Sequence, residues 1–168
     1  TMLSGRPGPV NLDIPFNLFQ EEANIEVLNS GAASISQRSG ASPEDVSTVA
    51  NLLLNSERPL LFVGHGVTLS EASEELSTLV QRLNIPIVSS PNGMGCVDMR
   101  IPQSVGFIGR NGAYPANQAG RHCDLLLAIG ARFDDRSSSS WIQGYSWNMP
   151  ATKLIQVDID VSEIGRNY

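Results

Sequence analysis

Basic charge is scarce in this chain: 11 Lys plus Arg stand against 17 Asp plus Glu, a formal net charge of -6 over 168 residues. Such a field repels phosphate backbones, which argues against nucleic acid as a partner. Cysteine is scarcer still. Cys96 and Cys123 lack CxxC spacing and have no His or Cys cluster around them, so neither a disulfide framework nor a tetrahedral metal site is expected. They read as buried free thiols in a reducing cytoplasm. No run of about 18 uninterrupted apolar residues is present, so no membrane span is expected either. The first nine residues, Thr1 to Pro9, lack the charged and apolar regions of a signal peptide. Position 1 is not methionine, which reads as a piece of a longer polypeptide. What is present is a globular balance, 41% hydrophobic and 17% charged, enough for the core of one domain.

Val10-Asn11-Leu12-Asp13-Ile14 alternates apolar and polar residues and is closed by Pro15, as in a short strand or an extended linker. From Phe16 to Ala41 periodicity is poor, and Asn29, Ser30, Gly31, Ser34, Ser36, Ser39 and Gly40 crowd together. Residues 1–41 are therefore expected to be an entry segment and interdomain linker, and 42–168 an α/β domain. Ser42-Pro43-Glu44-Asp45 has the order of a helix start, with a capping hydroxyl, a proline at the first helical position and acids in the first turn. Val46, Val49, Ala50 and Leu53 carry that helix to about Asn55. Pro59 to Val63, Ile85 to Ser89, Leu125 to Ile129 and Leu154 to Val157 are strand-length apolar runs. Between them, Ala72, Leu76, Leu79, Val80 and Leu83 form an inward helical stripe, with Ser70 as its expected cap, and a short helix is expected over 114–122. The serines 137–140 and the stretch 141–150 read as a polar loop. Strands separated by helices predict a doubly wound, Rossmann-like parallel sheet flanked by helices.

Parallel strands carry ligand groups at their carboxyl ends. Gly64-His65-Gly66 follows one strand, where absent side chains would let N–H groups approach a pyrophosphate. The third glycine of G-x-G-x-x-G is missing, since position 69 is Leu, and a tight turn without ligand is an equal reading. His65 has no partner placed for a triad and reads as a surface or supporting histidine. Gly93-Met94-Gly95 and the stretch from Gly106 to Gly112 are further glycine turns that could meet at the same edge. Arg132, Asp134, Asp135 and Arg136 follow the third apolar run. They form either a solvated ion-pair cluster or a ligand site in which Arg132 meets an anion and a carboxylate accepts ribose hydroxyls. Asp158 and Asp160, around Ile159, suit ribose or adenine contacts, or else Asp160 caps a helix with Glu163 as its capping-box partner.

Ser4-Gly5-Arg6-Pro7-Gly8-Pro9-Val10 with Asp13-Ile14-Pro15, Ile85-Pro86, Gly93-Met94-Gly95, Gly109 and Gly112, Asp124 to Leu127, Gly130 to Arg136 and Asp158 to Gly165 occur in an order that resembles the central domain of thiamine-diphosphate enzymes of the acetolactate synthase type, including glyoxylate carboligases. The resemblance covers essentially the whole chain. It implies a three-domain homo-oligomeric enzyme, a transferase or lyase acting on 2-oxo acids. Thiamine diphosphate and magnesium are held there by the flanking N- and C-terminal domains. It further implies that this domain binds FAD or ADP in a structural role, or serves as a nucleotide-free scaffold. Nucleotide contacts carried over by position fall at Arg6, Gly64, His65, Gly66, Ser90, Gly109, Gly130, Arg132, Asp134, Arg136, Asp158, Ile159 and Asp160. The sequence departs from the flavin-binding pattern at Asn92, where methionine is usual, and at Arg110-Asn111, where Met-His is usual. Neither the thiamine-activating glutamate nor the Gly-Asp-Gly metal motif occurs, so no catalytic residue is assigned and the chain alone is expected to be inactive. A free-standing NAD-dependent oxidoreductase is disfavoured by the missing third glycine and by the absence of an acid-base pair.

Overall fold

The computed structural model describes residues 5–24 and 40–168, and the chain divides into two units, Thr1–Gly40 and Ala41–Tyr168. In the first unit, residues 10–14 belong to no strand, so the strand reading of that alternation is not met. A single 3-10 turn, Phe16–Gln20, follows it, with Phe16 and Phe19 largely exposed. Ser4 and most of the serine- and glycine-rich connection lie outside the described residues.

The second unit is built on five parallel strands: β1 (Pro59–Val63), β2 (Ile87–Ser89), β3 (Ser104–Phe107), β4 (Leu125–Ile129) and β5 (Lys153–Val157), in the order β3-β2-β1-β4-β5. All four strand pairs are parallel, so the sheet is of the doubly wound α/β type expected. Two strand starts differ by a residue or two from the apolar runs, since Pro86 precedes β2 and Lys153 extends β5. β3 is the strand that hydropathy does not announce. Its sequence, Ser104-Val105-Gly106-Phe107, carries a glycine with φ +101, and the β2–β3 register slips between Ile87 and Val88, the local irregularity that interior glycines accompany.

Alternation along the strands divides the core in two. Leu61, Val63, Ile87, Leu125 and Leu127 face a layer of α1 (Pro43–Leu54), α2 (Gly66–Leu69) and α3 (Ser73–Leu83), where Leu53, Val67, Leu76 and Val80 are buried. Ser42 caps α1 by accepting Asp45 N–H at 3.1 Å. Ser70 does not cap α3. It closes α2 instead, and α3 starts after Ala72 without a side-chain cap, its first-turn acids Glu74 and Glu75 opposing the helix dipole.

On the opposite face Leu60, Phe62, Val88, Leu126 and Ala128 meet Ala116 of α4 (Tyr114–His122) together with Ala131, Phe133 and Trp147. The last three come from the β4–β5 connection, whose only short element is the turn Ser139–Trp141. Phe62, Phe133 and Trp147 stack with centroids 4.9 to 5.6 Å apart. Ser137, Ser138, Ser139 and Ser146 are buried and Ser140 is exposed, so three of the run's four serines lie inward where its composition indicates a polar loop. Its backbone accounts for the difference. Ser139, Ser140 and Trp141 have φ of +51, +58 and +56, a left-handed turn that folds the serines inward.

Candidate functional site at the carboxyl edge

The strand order reverses between β1 and β4, and the loops leaving these two strands meet there. Gly64 N–H donates to Ile129 O and Gly66 N–H to Gly130 O, both at 3.0 Å, while Gly130 N–H donates to Val157 O at 2.8 Å. A Cβ on Gly66 would lie 2.6 Å from Gly130 Cα, and Gly130 has φ +55. Close approach of the two loops therefore accounts for all three glycines, and their N–H groups are already engaged. The tight-turn reading of Gly64-His65-Gly66 fits this geometry. α2 has only four residues and offers no sustained dipole. His65 is exposed, with no side-chain hydrogen bond or ion pair among the described residues.

After β4 the four charged residues separate into different roles. Asp134 closes its own turn, accepting Ser137 N–H at 2.8 Å and the Ser137 hydroxyl at 2.9 Å. Asp135 pairs at 2.9 Å with Arg110 from the loop after β3, and the same guanidinium nitrogen donates to the Ser140 hydroxyl. Arg132 and Arg136 are exposed and form no side-chain hydrogen bond or ion pair among the described residues. The loop after β3 is seated on this segment. Arg110 N–H donates to Arg136 O at 2.9 Å, and a Cβ on Gly109, whose φ is +122, would lie 2.9 Å from Ser137 Cα. With Ser90 N–H donating to Val63 O and Ile108 N–H to Ser89 O, both at 2.9 Å, all five strand ends are fastened together by backbone contacts.

The remaining candidates flank this centre. Ser90 is buried and caps the turn Pro91–Gly93 by accepting Gly93 N–H at 3.1 Å. Beside it the Ser89 hydroxyl is buried without a hydrogen-bond partner, at the carboxyl end of β2. Asp158 Oδ1 accepts Asp160 N–H at 2.9 Å, and Asp160 caps the turn Val161–Glu163 by accepting Ser162 N–H at 3.0 Å. Asp160 thus caps a 3-10 turn rather than a longer helix, and Glu163, the expected capping-box partner, is buried and paired to Arg166 at 3.1 Å while Asp160 N–H goes to Asp158. Ile159 is half-exposed between them, and Arg6 belongs to the first unit. Two open cavities, of about 460 and 630 Å3, lie at the amino ends of β1 and β2 and along β5 respectively.

Two chemistries are absent from this unit. Among the described residues no group of three or more His, Cys, Asp or Glu could hold a metal ion, and no helix is long and apolar enough to cross a membrane. Both cysteines are free and buried, and burial pushes the Cys123 thiol up to about 11, far from a reactive thiolate.

The family described as thiamine pyrophosphate enzyme, central domain, matches residues 46–168. The chain belongs to that family. It is 36% identical over 168 residues to the probable acetolactate synthase large subunit of Methanocaldococcus jannaschii, covering 98% of this chain and 28% of that protein. The acetolactate synthase large subunit of Haemophilus influenzae is 36% identical over 171 residues, with 98% and 28% covered. The large subunit of Parasynechococcus marenigrum is 35% identical over 167 residues, with 98% and 26% covered. The chain thus spans just over a quarter of the length of these relatives.

Within this thiamine pyrophosphate enzyme central domain, three features escape a reading of motifs. They are the unpartnered Ser89 hydroxyl, the Arg110–Asp135 pair and the buried side chain of Asn117. Only the last leaves a signal. Ala113, Ala116, Asn117 and Gly120 share helical spacing, and an amide on a stripe of small residues marks a polar group with an inward task.

Proposed function

We propose that this chain is the central domain of a thiamine-diphosphate- and magnesium-dependent enzyme of the acetolactate synthase type. Its carboxyl edge holds an FAD- or ADP-like nucleotide in a structural role. The parent enzyme decarboxylates a 2-oxo acid and joins the fragment to a second one, as a cytoplasmic homo-oligomer. Thiamine diphosphate supplies the carbanion chemistry from a site made by the flanking N- and C-terminal domains, and this chain alone turns over nothing. The observation that carries the nucleotide reading is the pair of exposed guanidiniums, Arg132 and Arg136, unpaired among the described residues beside the switch point of the sheet. They would meet a diphosphate through side chains, because the N–H groups of Gly64, Gly66 and Gly130 are engaged. Asp158 would accept ribose hydroxyls, with its Oδ1 shared with Asp160 N–H.

The same engaged glycines favour a second reading, a nucleotide-free scaffold. Calorimetric titration of the chain with ADP and with FAD separates the two. Saturable binding, weakened about 10- to 150-fold by Arg132→Ala as for a lost hydrogen bond to a charged group, supports the nucleotide reading. Absence of binding by the parent chain leaves the scaffold.

A further inference from the structure

Asn117 is 8% exposed on α4, and its carboxamide joins two loops. Nδ2 donates to Gly109 O at 3.0 Å, while Oδ1 accepts Gly109 N–H at 3.1 Å and the Ser146 hydroxyl at 2.8 Å. Facing one N–H and one carbonyl of the same residue, the amide has a single satisfying orientation. Ser146 gives its hydroxyl proton to Asn117, so the 2.7 Å contact between Ser139 and Ser146 is donated by Ser139. Two branches therefore leave one side chain. The first runs through Gly109 and Arg110, whose N–H holds Arg136 O. The second runs through Ser146 to Ser139, the first residue of the left-handed turn. The first branch ends on Arg136 itself, and Arg132 stands four residues before it in the same connection, where its carbonyl accepts the Ser137 hydroxyl at 3.2 Å.

We propose that Asn117 is a positioning residue for the anion-binding arginines of the carboxyl edge, fixing the backbone that presents them without touching the ligand. This rests on the nucleotide reading above. Its physical basis is preorganisation: arginines on a tethered backbone surrender less freedom when a diphosphate arrives. Asn117→Asp preserves shape while turning a carboxylate oxygen toward Gly109 O, which removes the donor and adds repulsion. Ser146→Ala is milder, cutting only the branch to Ser139.

The test compares parent, Asn117→Asp, Ser146→Ala and Leu76→Ala, the last lowering stability from the opposite face of the sheet. Each is titrated with ADP and followed by amide hydrogen exchange. The expected result is about tenfold weaker ADP binding in Asn117→Asp, a smaller loss in Ser146→Ala and none in folded Leu76→Ala. Faster exchange should be confined to residues 108–112 and 132–141, with β1 and β4 still protected. If Asn117→Asp does not fold, the Ser146→Ala and Leu76→Ala pair decides by the same criteria. Unchanged ADP affinity in the folded Asn117 and Ser146 variants overturns the positioning role and leaves the nucleotide reading standing. An equal loss in Leu76→Ala also overturns it, since general destabilisation then explains the effect. Absence of ADP binding by the parent sinks the nucleotide reading and this proposal together.

Discussion

The two faces of the sheet are held by different means. On one, α1, α2 and α3 bury leucines and valines at helical spacing against alternate strand residues, and hydrogen bonds between side chains are marginal to the packing. On the other, α4 shares the surface with an irregular segment whose backbone closes in local turns, with Ser138 N–H on Asp134 O and Ser140 N–H on Asp135 O, both at 2.9 Å. Its groups are met by side chains and turns: Ser137 on Asp134, Trp141 Nε1 on Phe133 O at 2.9 Å, and Ser146 on Asn117. A helix satisfies its interior backbone groups and needs only an apolar stripe to dock. An irregular crossover has no such repeating ladder, so here local backbone turns are supplemented by side-chain hydrogen bonds of buried serines, with three aromatic rings filling the space between.

The largest effect expected from this difference is at Trp147. It is 1% exposed and packs on Phe62 and Phe133, so Trp147→Ala should cost about 3 to 5 kcal/mol by denaturant titration, as for other buried aromatics. Leu76→Ala, on the regular face, should leave residues 131–147 protected from hydrogen exchange, whereas Trp147→Ala should release them. If both variants loosen the same amides, the faces are one cooperative unit and the contrast drawn above fails.

How much of this was legible follows from the same division. The apolar runs of β1, β2, β4 and β5 and the stripe of α3 announced themselves through periodicity, because a regular element repeats its burial pattern. Ser137 to Ser140 conveyed nothing comparable. Four hydroxyls look alike whether solvated or folded inward, and a left-handed turn in serine and tryptophan has no compositional mark such as glycine would leave. β3 is hidden by Gly106, and Ser70 reads as the cap of α3 because the four-residue α2 has no period long enough to see. At the carboxyl edge the charged block after β4 was visible as a group. Its sorting into a turn-closing Asp134, a paired Asp135 and two unpaired arginines depended on Arg110, which lies 25 residues away in sequence from Asp135.

A smaller effect with an unusual sign is expected at Gly120, in α4. Glycine inside a helix ordinarily destabilises by roughly 0.5 to 1 kcal/mol relative to alanine, so Gly120→Ala would raise stability on the regular face. Here an added Cβ would fall 2.5 Å from Ile108 Cδ1 and 3.0 Å from Trp147 Cε3, and would also press on the Ser146 carbonyl. That carbonyl cannot rotate away as a side-chain end could. Gly120→Ala should therefore destabilise by about 1 to 3 kcal/mol, the range for overpacking. A rise in the thermal midpoint would show that the irregular segment yields easily and is not seated on the helix as described.

The smallest effect at neutral pH concerns acid, and it sharpens the contrast between a carboxylate tie on Asp124 and the uncharged Asn117 network. Asp124, just before β4, accepts Glu57 N–H at 2.8 Å, Arg58 N–H at 3.0 Å and the Ser56 hydroxyl, tying the turn after α1 to the sheet. Desolvation pushes its carboxyl upward, but the Ser56 hydroxyl and the two backbone N–H groups outweigh it and hold the pKa below the ordinary value of 3.8. A depressed folded pKa means that the stabilisation is fully present above the unfolded value and is lost as pH falls through the folded one. The Asn117 network contains only amide, hydroxyl and backbone groups and carries no such dependence. On acidification below about pH 4, amides at residues 56–60 should therefore gain exchange-competent openings before those at 108–112 and 137–147. Asp124→Asn should abolish that difference in pH dependence while leaving the irregular face as it was. If residues 137–147 open first in the parent chain, a titrating group controls the irregular face, and its neutral network is not what holds it.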